Sequence, residues 1–309
     1  MAIGGDEIIL HHYDTSPFSE KIRLLLGLKG LSWRSVIQPT IMPKPQLTPL
    51  TGGYRRAPVM QIGADVFCDS QVILAELDRR GSGPAANRGG AFAVNLWADR
   101  LFFGATVPII FGEIGDNVPK AFMDDREKLS GRPFDVTAMR SAGQMMKGQW
   151  RAQAGWIEQA LETSDFLGGD TPSLADIAAY MNVWFLLGAV PATGAELLKG
   201  LDRVQAWRKR VAAIGHGQRT EATGAEALEA ARANEPNISV EHDENDPLCL
   251  SPGAAVMVMA DDYGRDPITG SLVAANRDRV ILARHDDDLG HTRVHFPRAG
   301  YVVVSGKAA

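Results

Sequence analysis

The sequence lacks several features that mark whole classes of protein. Its two cysteines, Cys68 and Cys249, lie far apart, which excludes the disulfide framework of small secreted domains. The net charge of -5 gives no reason to expect nucleic acid or an anionic membrane as a partner. The most apolar run, 181–190, is far shorter than the roughly 20 residues of a membrane-spanning helix. No basic leader precedes an apolar run, so we expect a cytoplasmic protein.

What is present is enough apolar sequence for more than one core. The chain has 309 residues, of which 45% are hydrophobic and 22% charged, so two or three globular domains are expected. A glycine-rich stretch at 81–90 and an acidic, proline-containing stretch at 234–250 separate three segments. The predicted domains are 1–82, 90–233 and 245–309.

The first segment has the order strand, helix, strand, hairpin, helix. Ser16 is typical of a helix N-cap, and Pro17 suits the first helical position because it has no N–H to leave without a partner. A second helix is predicted to begin at Asp69-Ser70, after strands at 59–62 and 66–67. This order is that of a thioredoxin-like α/β domain. The proline-rich segment 38–57 between the two halves is predicted to be irregular.

The second segment is predicted to be all helix from 91 to 233, with a break around 108–119. Ser173 and Asp176 form a capping box at the start of a buried helix that runs to Leu187. Because this cap explains Asp176, we assign the residue a structural role and not that of a catalytic acid.

The hydrophobic period changes to two after residue 250, which predicts a small antiparallel sheet or barrel. His285, the aspartates 286–288, His291 and His295 suggest a metal site. However, aspartate-rich turns between strands are usually solvated hairpins, and the ligand register of a hard-cation loop is missing. We therefore expect no metal.

Four motifs together resemble the cytosolic glutathione transferases: TSPFSEKIR, Ala57-Pro58, Cys68-Asp69-Ser70 and GGDTPSLADIAAY. The resemblance covers residues 7–232 and identifies an atypical bacterial-type member with an extra C-terminal β module. The implied fold class is α+β multi-domain, with a thioredoxin-like α/β domain, an all-helical domain and a small antiparallel β domain.

The resemblance implies that Ser16 is the catalytic residue, whose hydroxyl donates a hydrogen bond to the glutathione thiolate at a helix N-terminus. The alternative is that Ser16 only caps the helix. Ser19 is a weaker candidate. Tyr13 is expected in the core or on a dimer surface, because the tyrosine used by other classes aligns with His12.

Four further residues are implied to bind glutathione. Pro58 resembles the cis-proline of thioredoxin-like folds, which turns the backbone of Ala57 toward the cysteinyl unit. Asp69 and Ser70 match the pair that holds the γ-glutamyl group. Cys68 is expected to be buried and unreactive.

The second substrate is expected between the domains, where Trp97, Arg100 and Phe103 could line a pocket, although an aromatic stripe on a helix is more often core. The leading interpretation is a dimeric glutathione transferase that activates the thiol for attack on a small electrophile. The alternatives are a non-catalytic scaffold that works through its C-terminal β module, or a glutathione-dependent isomerase, dehalogenase or peroxidase.

Overall fold

The architecture is that of a computed structural model, which describes residues 3–81 and 88–306. Its N-terminal elements are β1 (Ile9–His12), α1 (Pro17–Leu28), β2 (Ser32–Ile37), α2 (Thr48–Thr51), β3 (Val59–Ile62), β4 (Asp65–Cys68) and α3 (Ser70–Arg80). Strand β1 pairs in parallel with β2 and antiparallel with β3, and β3 pairs antiparallel with β4. The predicted thioredoxin-like domain is confirmed.

Local sequence explains how these elements begin. Ser16 caps α1 by accepting a hydrogen bond from the Ser19 amide at 3.1 Å, and Pro17 stands at the first helical position. Asp69 caps α3 by accepting one from the Gln71 amide at 2.8 Å. In the predicted irregular segment 38–57, the single turn of α2 is the one helix or strand.

The helical domain contains eight helices among the described residues. They are α4 (Arg88–Trp97), α5 (Phe103–Ile114), α6 (Lys120–Ser130), α7 (Val136–Ala160), α8 (Leu174–Ala189), α9 (Pro191–Leu197), α10 (Asp202–Ala212) and α11 (Gly224–Arg232). A π-helical turn, Ala98–Phe102, joins α4 to α5. The helix break was predicted to start at Pro108. This start is wrong, because α5 continues through the proline to Ile114.

The run of helix at 89–117 is long and apolar enough to cross a membrane by length and composition only. Phe102, Ile109 and Ile110 of this run are buried in the main hydrophobic core. The capping box on α8 is confirmed: Asp176 accepts from the Ser173 amide at 2.9 Å and from its hydroxyl at 2.7 Å. Asp176 also accepts from the Trp207 indole at 2.8 Å, which supports the structural role assigned to it.

Two findings concern the sheet. Residues 218–221, predicted as part of an all-helical segment, form β5 (Gln218–Glu221), which pairs in parallel with β2. The C-terminal module contains β6 (Ala255–Ala260), β7 (Ile268–Ala275), β8 (Arg279–Asp286), β9 (Gly290–Pro297) and β10 (Tyr301–Ser305). These five strands are antiparallel, as predicted, in the order β10-β6-β7-β8-β9.

The module continues the sheet of the N-terminal domain. Strand β9 pairs in parallel with β4, so the described strands form one open sheet of ten, β10-β6-β7-β8-β9-β4-β3-β1-β2-β5. Of the sheet and the barrel predicted for the module, the described strands therefore form the open sheet. The boundaries 1–82, 90–233 and 245–309 stay a prediction.

Buried polar pairs hold this junction. The His295 imidazole lies 2.7 Å from a carboxylate oxygen of Asp65, and both side chains are buried. Arg279 on β8 donates to Glu76 of α3 at 3.1 Å, also in the interior. Val66 of β4 shares a hydrophobic cluster with Val294 and other module residues. The module is thus packed onto the first domain through a common core.

Candidate functional site

A small cavity lies where the N-terminal domain, helix α4 and the C-terminal module meet. It has a volume of about 60 Å³. Its walls come from all three parts of the chain: Phe18, Tyr54, Arg56, Ala57, Pro58, Asp69, Ser70, Gln71, Leu96, Asp99, Arg100, Asp262, Tyr263, Ala299, Gly300 and Tyr301. Two turns of the module, β6–β7 and β9–β10, close one side.

The residues predicted to bind glutathione come together at this cavity. Ala57, Pro58, Asp69 and Ser70 all line it. The Ala57–Pro58 peptide bond is cis, as the resemblance implied. Ser70 is buried and opens helix α3, whose first amides lie beside it.

Asp69 is already engaged with the protein itself. One carboxylate oxygen accepts from the Gln71 amide at 2.8 Å, and the other accepts from the hydroxyl of Tyr301 at 3.0 Å. Its backbone has φ 94°, a conformation that costs a non-glycine residue about 1–3 kcal/mol and persists only where its surroundings hold it. The acid predicted to receive an ammonium group is therefore held by the module.

A buried tyrosine, Tyr54, and a half-buried one, Tyr301, lie beside Asp69. The hydroxyls of Tyr301 and Tyr54 lie 3.4 Å apart. Burial, together with the negative charge of Asp69, raises the pKa of both phenols well above their usual range. Both therefore stay protonated at physiological pH, and Tyr301 acts as a hydrogen-bond donor to the carboxylate.

Two ion pairs fix the β6–β7 turn over the cavity. Arg56 donates to Asp262 at 3.0 Å, and its guanidinium lies 4.6 Å from the ring centroid of Tyr263. Arg100 pairs with Asp261. Arg55, which together with Arg56 could have met a glycine carboxylate, pairs instead with Asp125.

Ser16 lies outside the cavity wall. Its side chain is buried, and its hydroxyl accepts the hydrogen bond of the Ser19 amide. His12, which aligns with the tyrosine of other classes, is also buried. Burial and the nearby Arg23 lower its pKa to about 3, so the imidazole is neutral.

Of the three residues predicted to line a second-substrate pocket, one lines the cavity and two pack against aromatic neighbours. Arg100 lines the cavity. Trp97 stacks on Phe102 and donates its indole N–H to Gln153 at 2.8 Å. Phe103 contacts Phe18 edge-on, with centroids 4.8 Å apart. Trp97 and Phe103 therefore have packing contacts, and a place for them in a second-substrate pocket stays a prediction.

A buried charge cluster behind the cavity escaped the sequence reasoning. Lys21 is fully buried and donates to Asp99 at 2.7 Å and to Asn95 at 2.8 Å. Burial raises the pKa of Asp99, although Lys21 opposes this effect. A lysine inside the apolar stripe of a helix is a weak sequence signal, and its partners lie more than 70 positions away.

Two of the residues that suggested a metal site, His295 and Asp286, have structural partners. His295 pairs with Asp65, and an oxygen of Asp286 accepts from the amides of Asp288 and Leu289 at 3.0 and 3.2 Å, as in a hairpin turn. Within residues 3–81 and 88–306, no three His, Cys, Asp or Glu side chains form a group that could hold a metal ion. Cys68 is buried, and burial raises its pKa well above the usual range, as expected for an unreactive thiol.

The size of the cavity limits its chemistry. Pockets for drug-sized ligands measure about 300–1,000 Å³. A cavity needs about 10–15 Å³ to hold one water, so 60 Å³ has room for a few waters. The two module turns beside the cavity are held by ion pairs and by the Tyr301–Asp69 hydrogen bond.

Comparison with known proteins matches two parts of this chain to the two domains of one protein family. Residues 10–85 match the glutathione S-transferase N-terminal domain, and residues 140–210 match its C-terminal domain. A crystal structure of a GST-like protein from Pseudomonas syringae is 34% identical, with a TM-score of 0.79. That match covers 97% of this chain and 100% of the other, so the C-terminal strands have counterparts there.

Two other matches point to one protein type. FtsZ-localized protein A of Caulobacter vibrioides is 28% identical over 197 residues, which are 60% of this chain and 80% of that protein. The structure of FzlA from C. crescentus is 26% identical, with a TM-score of 0.50, over 66% of this chain and 87% of that one.

Proposed function

This chain belongs to the glutathione S-transferase family, and we propose that it is a non-catalytic member, a binding protein whose glutathione cleft is closed by its own C-terminal strands. The observation that carries the proposal is the hydrogen bond from the Tyr301 hydroxyl to Asp69. It brings a side chain of the module against the acid that the resemblance implies for the γ-glutamyl end of glutathione.

Three further observations support this proposal. The remaining cavity is about 60 Å³, and Ser16 is a buried helix cap outside it. The module cannot swing away as a rigid flap without breaking the β4–β9 pairing and the buried pairs His295–Asp65 and Arg279–Glu76. These contacts support a cleft that stays closed.

The test is calorimetric titration with reduced glutathione. We expect no saturable binding up to about 10 mM, which corresponds to a binding free energy weaker than about -3 kcal/mol. We also expect no conjugation of an aryl halide, and no difference between the wild type and Ser16→Ala. A Tyr301→Ala variant removes the side chain that closes the cleft and should gain weak glutathione binding. Adding Ser70→Ala to this variant should remove that binding.

The opposite result would support catalysis. Saturable glutathione binding by the wild type that weakens in Ser70→Ala, with turnover that falls in Ser16→Ala, would show that the cleft opens in solution. The protein would then be a glutathione transferase that activates the thiol through Ser16, with Ala57, Pro58, Asp69 and Ser70 as the glutathione-binding residues.

The relative from Caulobacter vibrioides carries in its name a localisation to FtsZ. FtsZ is therefore the first protein partner that we would test, by cosedimentation with its polymers. A homodimer and a cytoplasmic location stay predictions from the family, and light scattering of the purified protein tests the first of them. If the protein neither sediments with FtsZ nor binds glutathione, the binding function would have another partner.

A further inference from the structure

Strand β10 lies at one end of the ten-stranded sheet, where β6 is its one pairing neighbour among the described strands. The amide of Gly306 donates to the carbonyl oxygen of Ala255 at 2.8 Å. Because the backbone groups of an antiparallel strand alternate in direction, this bond assigns the even-numbered residues of β10 to β6. The N–H and C=O groups of residues 301, 303 and 305 therefore point away from β6. Within 3–81 and 88–306, no backbone hydrogen bond outside the sheet uses them.

The sequence of β10 is that of a strand with neighbours on both sides. It reads YVVVS, without a charged residue or a proline. Native edge strands are commonly protected by charges, proline or a bulge, because an unprotected edge pairs with other chains. Strand β5, at the opposite end of the sheet, has such protection: its four residues are exposed, and Arg219 and Glu221 are charged. The β10 edge has no comparable residue, although its Val302 is 42% exposed.

Apolar side chains also cover the outer face of the sheet beside this edge. Val302 lies opposite Met259 of β6, and Val304 lies opposite Met257. Val302 is exposed, and the other three side chains are half-buried. Val303, which points to the other face, belongs to the module's hydrophobic core. The edge therefore offers both unpaired backbone groups and a row of apolar side chains.

The charged residues next to β10 already have partners. Asp261, which follows β6, pairs with Arg100. Arg298, which precedes β10, pairs with Asp246. A strongly acidic or basic partner thus gains little here, because the charges that flank the edge are compensated. A neutral strand with β-branched residues fits best, and β10 of a second copy is such a strand.

Two copies of β10 are complementary in one antiparallel register, which has Val303 on the two-fold axis. Residue 301 then lies opposite residue 305 of the partner subunit, and each outward-pointing N–H and C=O group gains a partner, in about six hydrogen bonds. Val302 lies opposite Val304 of the partner subunit, and the same contact occurs a second time by symmetry. Pairs of β-branched side chains stabilise a sheet, and no like charges meet along the strand.

We propose that β10 is a dimerisation strand, through which two copies of this chain pair antiparallel and form one continuous sheet. The two-fold axis uses each β10 edge once and leaves the charged β5 strands at the two ends, so the assembly closes at two copies. Because Tyr301 belongs to this strand, the pairing also holds the backbone of the residue that contacts Asp69. The interface goes beyond the proposed function and does not depend on glutathione.

The experiment measures the mass of the full chain by analytical ultracentrifugation over a range of concentrations. Two matched double variants test the register, since each replaces both outer valines with charged side chains. In V302E/V304E the proposed pairing sets like charges opposite each other, whereas in V302K/V304E it sets opposite charges there. Ser305→Pro removes an N–H that points outward and none that bonds to β6. The control is Ile37→Glu, which changes an exposed apolar residue of β2.

We expect the wild type to be a dimer, with twice the mass of the 33.4 kDa chain. V302E/V304E and Ser305→Pro should each weaken association about tenfold or more. V302K/V304E should associate about tenfold more tightly than V302E/V304E, and Ile37→Glu should behave as the wild type. Hydrogen exchange should show the amides of Val303 and Ser305 protected in the dimer and exchanging fast in V302E/V304E, while circular dichroism shows that this variant is folded.

Three outcomes would overturn the proposal: a wild type that stays monomeric up to about 1 mM, a dimer that V302E/V304E leaves intact, or equal association of the two double variants. A monomer that binds a synthetic valine- and threonine-rich strand peptide would also overturn it, because a foreign strand would then cover the edge. These measurements are separate from the glutathione titration, so failure here leaves the closed cleft untouched.

Discussion

The hydroxyl of Tyr301 lies 3.0 Å from the carboxylate of Asp69, and 232 positions of sequence separate the two residues. This contact joins the last strand of the chain to the residue that caps helix α3 in the first domain. The cavity wall that contains Asp69 is thereby joined to the C-terminal module.

Removing the Tyr301 hydroxyl should destabilise the protein. In Tyr301→Phe, the half-buried Asp69 loses its donor at one oxygen, and a hydrogen bond to a charged group contributes about 1.5–3 kcal/mol. We expect the free energy of unfolding to fall by that amount in urea titrations. The control is Tyr263→Phe, since no hydrogen bond of the Tyr263 hydroxyl is found in the described residues; its change should stay within about 0.5 kcal/mol. Equal effects of the two variants would contradict the role of the hydroxyl.

Glu76 should be essential for docking of the module. Its buried carboxylate accepts from Arg79, Arg80 and Arg279, and these arginines hold its pKa down to about 2 although burial alone would raise it. In Glu76→Gln at pH 7 the buried Arg279 loses its counter-charge, which costs about 3–5 kcal/mol. Arg79→Ala removes an exposed partner and should cost less than about 1 kcal/mol. Chemical denaturation of both variants checks the difference, and similar losses would contradict the prediction.

Stability should fall as the pH drops below about 6.5. The His11 ring is buried between Gln61 and Gln38, and burial lowers its pKa to about 4. Between pH 4 and 6.5 the unfolded state binds the proton and the folded state does not. The contribution of His11 is therefore fully present above its unfolded pKa and is lost as the pH falls.

The dependence of the free energy of unfolding on pH tests this assignment. His11 should contribute up to about 1.4 kcal/mol per pH unit in that range, and His12, whose pKa is lowered to about 3, should add a similar amount. Urea titrations at pH 7 and pH 5 should show a smaller pH-dependent loss for His11→Asn than for the wild type. An identical slope in the two proteins would exclude His11 as a contributor.

Two glycines should respond oppositely to alanine. A Cβ at Gly27 in α1 would lie 2.1 Å from the carbonyl oxygen of Gly215, so Gly27→Ala must displace backbone and should cost about 1–3 kcal/mol. Gly143 in α7 has open space around its Cβ position, so Gly143→Ala should gain about 0.5–1 kcal/mol from helix propensity. Thermal unfolding distinguishes them, and a shift of the same sign in both would contradict the argument.

The parts of the fold that follow from nearby residues could be predicted from the sequence. Ser16, Asp69 and Ser173 mark helix starts because a cap and the amides it satisfies lie within three residues of each other. The pattern of alternating side chains likewise predicted the strands of the module. Cis Pro58 and its neighbours Asp69 and Ser70 came from the family resemblance.

The parts that failed depend on distant partners. Strand β5 consists of four exposed polar residues, QRTE. No local sequence pattern predicts that they pair with β2. The parallel pairing of β9 with β4 also has no signal in either segment, because both strands are apolar enough for any sheet. Without that pairing the sequence could not show that Tyr263 and Tyr301 close the cavity.

The β4–β9 pairing has a consequence for synthesis. Asp65 and His295 are 230 residues apart in the chain, yet they meet inside the sheet. While the ribosome synthesises the helical domain, β9 does not yet exist. The edge of β4 is then unpaired and can pair with other chains. Contacts of such long sequence separation form slowly. A nascent chain therefore has an unpaired β4 edge, which can promote aggregation, until β9 has been synthesised.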